Sequence, residues 1–389
     1  MKFDVVIIGG GIVGSSLALA LKDSGLNIAL VESHPPPILP DDKSWDSRIY
    51  AISPGSVSFL EDLEVWTVIK RNRITPVHEM EIFGDDDSAR LDFSAYDAGM
   101  TELAFIVENR QLQSAAWNEL EKQRTKIKVF CPMQCTSIDW NETHANVQLS
   151  NGKLLKTALI IGADGVNSWV RNQAKIKISQ HSYQQSAMVA NFSTELSHQN
   201  IAHQWFRRDG VLALLPLPNK FVSMVWSANE EQSTRLLSLS GTDICQQVEE
   251  ASSHILGKLQ LITKPASFPL NFVHVKNLIE PRLALVGDAA HGIHPLAGQG
   301  VNLGLRDARE LVSTIINRGS QTDCGDYSLL RKYERARKED ILAMEFTTDS
   351  LQKLFNNENP TIARMRNLGL GITNQFPLLK KQLMQHALN

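Results

Sequence analysis

The first 32 residues constrain the fold more than any other part of the chain. Phe3-Asp4-Val5-Val6-Ile7-Ile8 is nearly continuously apolar, the texture of a strand covered on both faces. Gly9-Gly10-Gly11-Ile12-Val13-Gly14 follows, then a helical stretch through Leu17, Leu19, Ala20 and Leu21 that Gly25 is expected to end. Asn27-Ile28-Ala29-Leu30-Val31 is a second buried strand, with Glu32 at its C-terminal end. This is one βαβ unit, and its glycines carry the spacing of a dinucleotide loop. Gly9 permits the tight turn, Gly11 lets a pyrophosphate approach the backbone, and Gly14 lets the helix pack closely on the strand. The helix N-terminus offers free N–H groups and partial positive charge to the phosphates. Glu32, 18 residues beyond Gly14, is placed to accept ribose hydroxyl hydrogen bonds. The loop by itself does not separate NAD from FAD.

Further along, Ser53-Pro54 reads as an N-cap followed by proline at the first helical position. Asn109 opens a helix whose Leu112, Ala115, Ala116 and Leu120 share a face. From about 127 to 161 the texture is that of strands, with Ser150-Asn151-Gly152-Lys153 as a hairpin turn. A second β-rich block runs from about 183 to 227. Helical period returns at Val301, Leu305, Ala308, Val312 and Ile315, and Asn356-Asn357-Glu358-Asn359-Pro360 breaks the chain before a short tail. The expected fold is therefore α/β. A discontinuous nucleotide-binding domain of Rossmann type covers 1–72, 106–172 and 272–340, a β-sheet substrate domain covers 73–105 and 173–271, and a helical region covers 341–389.

A formal net charge of −3 argues against a nucleic-acid partner, which would call for a basic stripe. Cys131, Cys135, Cys245 and Cys324 lack metal or redox spacing and read as free thiols. The histidines are scattered, so no metal site is expected. The strand pattern begins at Phe3 and no apolar run reaches membrane-spanning length, so a cytoplasmic-side protein is expected.

Two later stretches repeat one design, a glycine-aspartate turn after an apolar run. Ala158-Leu159-Ile160-Ile161 leads into Gly162-Ala163-Asp164-Gly165-Val166-Asn167-Ser168-Trp169-Val170-Arg171. Leu283-Ala284-Leu285-Val286 leads into Gly287-Asp288-Ala289-Ala290-His291, continued by Pro295, Gly298-Gln299-Gly300, Asn302, Gly304 and Asp307-Ala308. With the N-terminal loop, these resemble the three fingerprints of the FAD-dependent aromatic hydroxylases, the p-hydroxybenzoate hydroxylase superfamily. The likeness is greatest to the ubiquinone-biosynthesis hydroxylases and covers essentially the whole chain.

The resemblance implies FAD as cofactor. It places Asp164 and Gly165 between nucleotide and domain, Asp288 on the ribityl chain, and the segment from Gly298 through Gly300 and Val301 to Asn302 beside the isoalloxazine ring. Pro295, Gly298, Gln299 and Gly300 form the implied flavin-edge loop. Because that loop opens the Val301–Ile315 helix, its N–H groups can face a flavin edge that becomes anionic on reduction. Arg48 and Arg110 match positions that contact flavin or its phosphates, where a planar donor fork suits phosphate and carbonyl oxygens. His291 reads as a residue that orients the loop rather than a base, and His294 has no assigned role. The strands around His203-Gln204-Trp205-Phe206 and Gly210–Pro218 look like those that wall off the flavin, although core packing accounts for them equally.

The implied reaction is hydroxylation of a phenolic or quinol ring through a flavin C4a-hydroperoxide, with O2 as co-substrate. No second dinucleotide fingerprint is present, so NAD(P)H binds transiently or a separate reductase supplies electrons. No catalytic triad is expected, since the cofactor carries the chemistry. A reductase or dehydrogenase of the same superfamily, and a non-catalytic FAD-binding subunit, are the competing readings. The stretch from Thr361 carries Arg364, Arg366, Lys380 and Lys381 interleaved with leucines. Such a tail can pack on its own core, dock other quinone-biosynthesis proteins, or lie on the inner face of the cell membrane. Oligomeric state stays open.

Overall fold

The computed structural model describes residues 1–36, 38–39, 44–84, 89–207, 210–292, 298–355 and 374. Five parallel strands form the centre of an eight-stranded sheet, in the spatial order Ile127–Phe130, Ile28–Val31, Lys2–Ile8, Leu154–Gly162 and Leu283–Leu285. The continuous apolarity of Val5, Val6 and Ile7 has the expected cause, for all three are 0% exposed. Helices Ile12–Ala20, Asn109–Lys122 and Gly300–Ile316 pack together over this core. The first helix is shorter than Gly25 suggested. It ends at Ala20 because the Ser24 hydroxyl donates to Leu21 O at 2.6 Å and turns the chain early.

A second sheet of nine strands follows the inserted β-rich block. Its long strand, Ile178–Thr194, pairs with Phe221–Asn229 on one side and Ala266–Val275 on the other. Gly210–Leu217, Ile201–Arg207, Glu79–Phe83 and Arg90–Ser94 continue it outward. Two helices absent from the sequence reading, Glu230–Ser238 and Gly241–Ala251, contribute Leu236, Ile244 and Val248 to a core with Trp205 and Trp226.

A three-stranded sheet of Ile49–Ile52, Ala104–Glu108 and Ile74–Val77 lies at the junction. Its Ile106 and Val77 share an apolar cluster with Ala202 and Leu217 of the nine-stranded sheet. The Gly287-Asp288-Ala289 turn sits at the same junction. The strand before it, Leu283–Leu285, belongs to the first sheet, and His291–Gly292 after it pairs with Ala266–Val275 of the second. The helix Tyr327–Phe355 runs unbroken through residue 340, where the sequence reading set a boundary. Residues 361–389, the basic tail, lie outside the described residues except for Asn374, whose side-chain oxygen accepts from Asp92 N at 3.1 Å.

Candidate active site

All three glycine motifs open on one cavity of about 1230 Å3 between the two large sheets. Gly9, Gly11 and Glu32 line it from the first, Asp164 and Gly165 from the second, and Gly287 and Asp288 from the third. Gly298, Gln299, Gly300, Val301 and Arg48 complete that end. Pro295 and His294 lie outside the described residues.

The glycines separate by what faces them. A Cβ on Gly9 would stand 2.3 Å from Ala163 O, and one on Gly14 would stand 2.0 Å from Gly9 O. Those two are demanded by the fold itself. A Cβ on Gly11 or Gly300 would meet nothing within 4 Å, yet both residues line the cavity. Their bareness serves whatever occupies the space beyond. Both also begin helices with open donors. Gly11 and Gln299 are N-caps without side-chain caps, and the first intrahelical bonds are Ser15 N to Gly11 O and Leu303 N to Gln299 O. Among the described residues nothing accepts from the N–H groups ahead of these bonds, which suits them to an anion or a carbonyl edge.

The carboxylates differ in the same way. Asp288 is exposed to the cavity between buried Gly287 and Ala289, and its side chain accepts no hydrogen bond from any described residue. Asp164 is already committed, accepting from Ser168 Oγ at 2.5 Å and Val170 N at 3.0 Å, so it shapes the second turn. Glu32 accepts from Gly10 N at 2.5 Å and His34 N at 2.9 Å, which braces the phosphate loop against the second strand. An FAD molecule fits this donor set: two open helix N-termini, a free carboxylate, and bare glycines where its backbone contacts would fall. Nothing among the described residues has the makings of a metal centre.

Arg48 lines the cavity and stacks over the Tyr50 ring, 5.4 Å from its centroid. Burial pushes the Tyr50 hydroxyl up to about 12, against the pull of Arg48. Arg110 is not among the lining residues. Its guanidinium pairs with Glu108, which is 0% exposed, and bonds Ser44, while its backbone N donates to Asp46. Arg73 meets the same Glu108 at 2.9 Å, so the two arginines anchor the segment that carries Arg48. Asn302, 1% exposed, also faces inward, accepting from Ser53 N and donating to Ala51 O, both at 2.9 Å.

The sequence reading gave Asp307 no role, because its partners are distant in the chain. It is 0% exposed and accepts from His291 Nε2 at 2.6 Å, Arg337 Nε at 2.7 Å and Gly287 N at 3.0 Å. Burial works against a charge on His291, but the adjoining Asp307 carboxylate outweighs it and raises the pKa above the usual value. Burial likewise opposes charge on Asp307, and His291 and Arg337 together lower its pKa. This triad clamps both ends of the turn that presents Asp288. His291 is thereby consumed in structure and is sealed from the cavity.

The opposite end of the cavity is a floor of strand residues, mostly apolar, including Val189, Ala202, Val211, Ala213, Leu215 and Val225. Phe93, Met80 and Leu103 continue it. Cys135 also lines the cavity, but burial, with help from the Asp164 charge, pushes its thiol up to about 12, so it offers no thiolate nucleophile.

The chain is similar to known proteins along nearly its whole length. The model of the FAD binding domain family matches residues 2–346. The 3-demethoxyubiquinol 3-hydroxylase of Escherichia coli is 35% identical over 388 residues, spanning 99% of this chain and 98% of that protein. Ubiquinone hydroxylase UbiL of Rhodospirillum rubrum is 31% identical, over 99% of this chain and 89% of its own. Among solved structures, PqsL of Pseudomonas aeruginosa, described as a probable FAD-dependent monooxygenase, superposes with a TM-score of 0.78 at 20% identity, covering 95% of this chain and 99% of that one. p-Nitrophenol 4-monooxygenase PnpA of Pseudomonas putida gives 0.78 at 16%, covering 100% and 99%.

Proposed function

The chain belongs to the FAD binding domain family, and from that premise we propose that it is an FAD-dependent monooxygenase of ubiquinone biosynthesis. Its substrate on this reading is the phenolic or quinol ring of a polyprenylated precursor. One observation carries the reading: a single cavity has nucleotide-binding loops at one end and an apolar sheet floor at the other. FAD, once bound and reduced, supplies oxygen activation and delivery of one oxygen atom to the ring. The chain supplies binding and shelter. The N–H groups at the start of the Ile12–Ala20 helix hold the pyrophosphate, Glu32 the ribose, and Asp288 the ribityl hydroxyls. The open N-terminus of the Gly300–Ile316 helix stabilises negative charge at the flavin edge. The floor keeps water away and holds the ring edge-on to that loop.

Product formed under 18-O2 is expected to carry one heavy oxygen atom; unlabelled product sinks the monooxygenase reading and favours a dehydrogenase. Gly300→Val should separate oxygen use from hydroxylation. A Cβ there meets no protein atom within 4 Å, and the residue lines the cavity, so the added bulk is expected to fall on the ligand. The expected phenotype, with FAD still bound, is hydrogen peroxide at the expense of product, the product-to-O2 ratio falling about tenfold. An unchanged ratio removes Gly300 from the flavin edge.

Among the described residues no helix is long and apolar enough to cross a membrane. A polyprenylated substrate resides in lipid, which supports a surface-docking role for the basic 361–389 tail. Reversing Lys380 and Lys381 should weaken binding to anionic vesicles by roughly 1 kcal/mol per charge or more. Unaltered vesicle binding discards that role.

A further inference from the structure

The apolar floor carries a side chain that folding does not account for. Gln204 is 5% exposed and lines the cavity, yet its carboxamide makes no hydrogen bond with any described residue. Its cross-strand neighbours are Ala213 and, one strand further, Val225, both apolar and both lining the same cavity. His203 and Trp205 point to the other face, His203 toward Glu81 at 3.5 Å and Trp205 into the core beneath the two helices. A leucine or methionine at 204 would close the floor as well, whereas this amide turns its polar atoms to the cavity and not to a protein partner. The amide therefore answers to something that enters the cavity.

Its position says which part of a ligand it meets. The next row of the floor, Ala202 and Leu215, shares an apolar cluster with Ile106 and Ala51. The Ala51 Cβ in turn lies 3.5 Å from where a Cβ on Gly298 would stand, so the cluster that holds this row reaches the flavin-edge loop. Gln204 is one side-chain row beyond, roughly 7 Å by strand rise, which is about the width of one aromatic ring. An isoprenoid chain has no group for an amide to bond, so the amide faces the head group.

We propose that Gln204 is the specificity-determining contact of the aromatic ring. Its carboxamide hydrogen-bonds the phenolic hydroxyl and thereby sets which ring carbon is turned to the flavin edge. The proposal rests on the phenolic reading of the substrate. Ser227, the other polar side chain of the floor, is 4% exposed and likewise unbonded to described residues. It lies two strands over and one row further out, roughly 12 Å from Gln204 by strand geometry, beyond reach of the same ring. It is the internal control.

The test uses FAD-loaded protein with two probes, 2-geranylphenol and its methyl ether, which keeps the shape and removes the donor. Binding is read from the flavin absorbance change, and hydroxylation position from the product. Wild type should prefer the phenol by about tenfold. Gln204→Met should bring the two probes within about twofold and scatter the hydroxylation position, at unchanged FAD content. Ser227→Ala should keep both the preference and the position. A full phenol preference in Gln204→Met, or its loss in Ser227→Ala, overturns the assignment while leaving the hydroxylase reading intact. FAD-loaded wild type that neither binds nor hydroxylates the phenol overturns that reading, and the Gln204 contact with it. Should Gln204→Met fail to take up FAD, Gln204→Leu carries the same expectation.

Discussion

Gly11→Val is expected to yield a folded but colourless protein. A Cβ at this position meets no protein atom within 4 Å, and the residue sits at φ −66° and ψ −176°, a conformation open to any residue. As an N-cap, valine is a poorer choice than glycine, so about 1 kcal/mol of stability is expected to go. The larger effect falls on the ligand. A branched side chain stands where the pyrophosphate must approach the backbone, and FAD affinity should fall on the order of a hundredfold, or about 3 kcal/mol. Flavin absorbance per protein and the melting temperature of the flavin-free form read the two effects separately. Valine at Gly9 or Gly14 should instead prevent folding, since neighbouring backbone atoms stand 2.3 and 2.0 Å from the new Cβ. Full flavin occupancy in Gly11→Val would falsify the phosphate-loop assignment.

Asp307→Asn should be strongly destabilising. It leaves His291 without its carboxylate and Arg337 with that of Asp340 alone, while also weakening the bond that holds Gly287. Removing one partner of a buried ion pair costs about 3–5 kcal/mol, because the remaining charge stays desolvated. The pH dependence follows from the direction of each shift. The raised His291 contributes stability that is fully present below its ordinary value of 6.5 and is lost as pH rises through its folded pKa. The lowered Asp307 contributes stability present above 3.8 and lost as pH falls through its folded pKa. The gap between wild type and variant should therefore be widest between those limits and narrow on either side. Denaturant titrations across that range measure it; a gap below about 1 kcal/mol throughout would mean that the triad contributes little.

The βαβ unit was legible because each of its parts is local. Val5 to Ile8 are buried on both faces, so their apolarity needs no alternation, and the glycines stand where the chain turns at once. The same holds for Ser53, whose hydroxyl accepts from Ser56 N three residues on, and for the Asn109 helix. What was read for Arg110 and Asn302 depended on likeness of sequence, whereas their present partners, Glu108 with Ser44, and Ser53 with Ala51, are fixed by how segments far apart in the chain meet. The helices Glu230–Ser238 and Gly241–Ala251 were missed because the first follows directly on a strand, the second follows directly on the first, and their apolar residues are few.

Local pattern, then, determined the nucleotide loops, the strand texture and the family likeness, for these are properties of neighbouring residues. The tertiary structure alone decided which glycines are bare for the fold and which for a ligand, since only the fold places Ala163 O beside Gly9 and empty space beside Gly11. It alone joined His291 and Asp307 to Arg337, 30 residues beyond Asp307 on another helix. And it alone turned Gln204 into the cavity while its neighbours His203 and Trp205 went to the other face. A period of two says that alternate residues share a face, but not which face will be the one that meets a ligand.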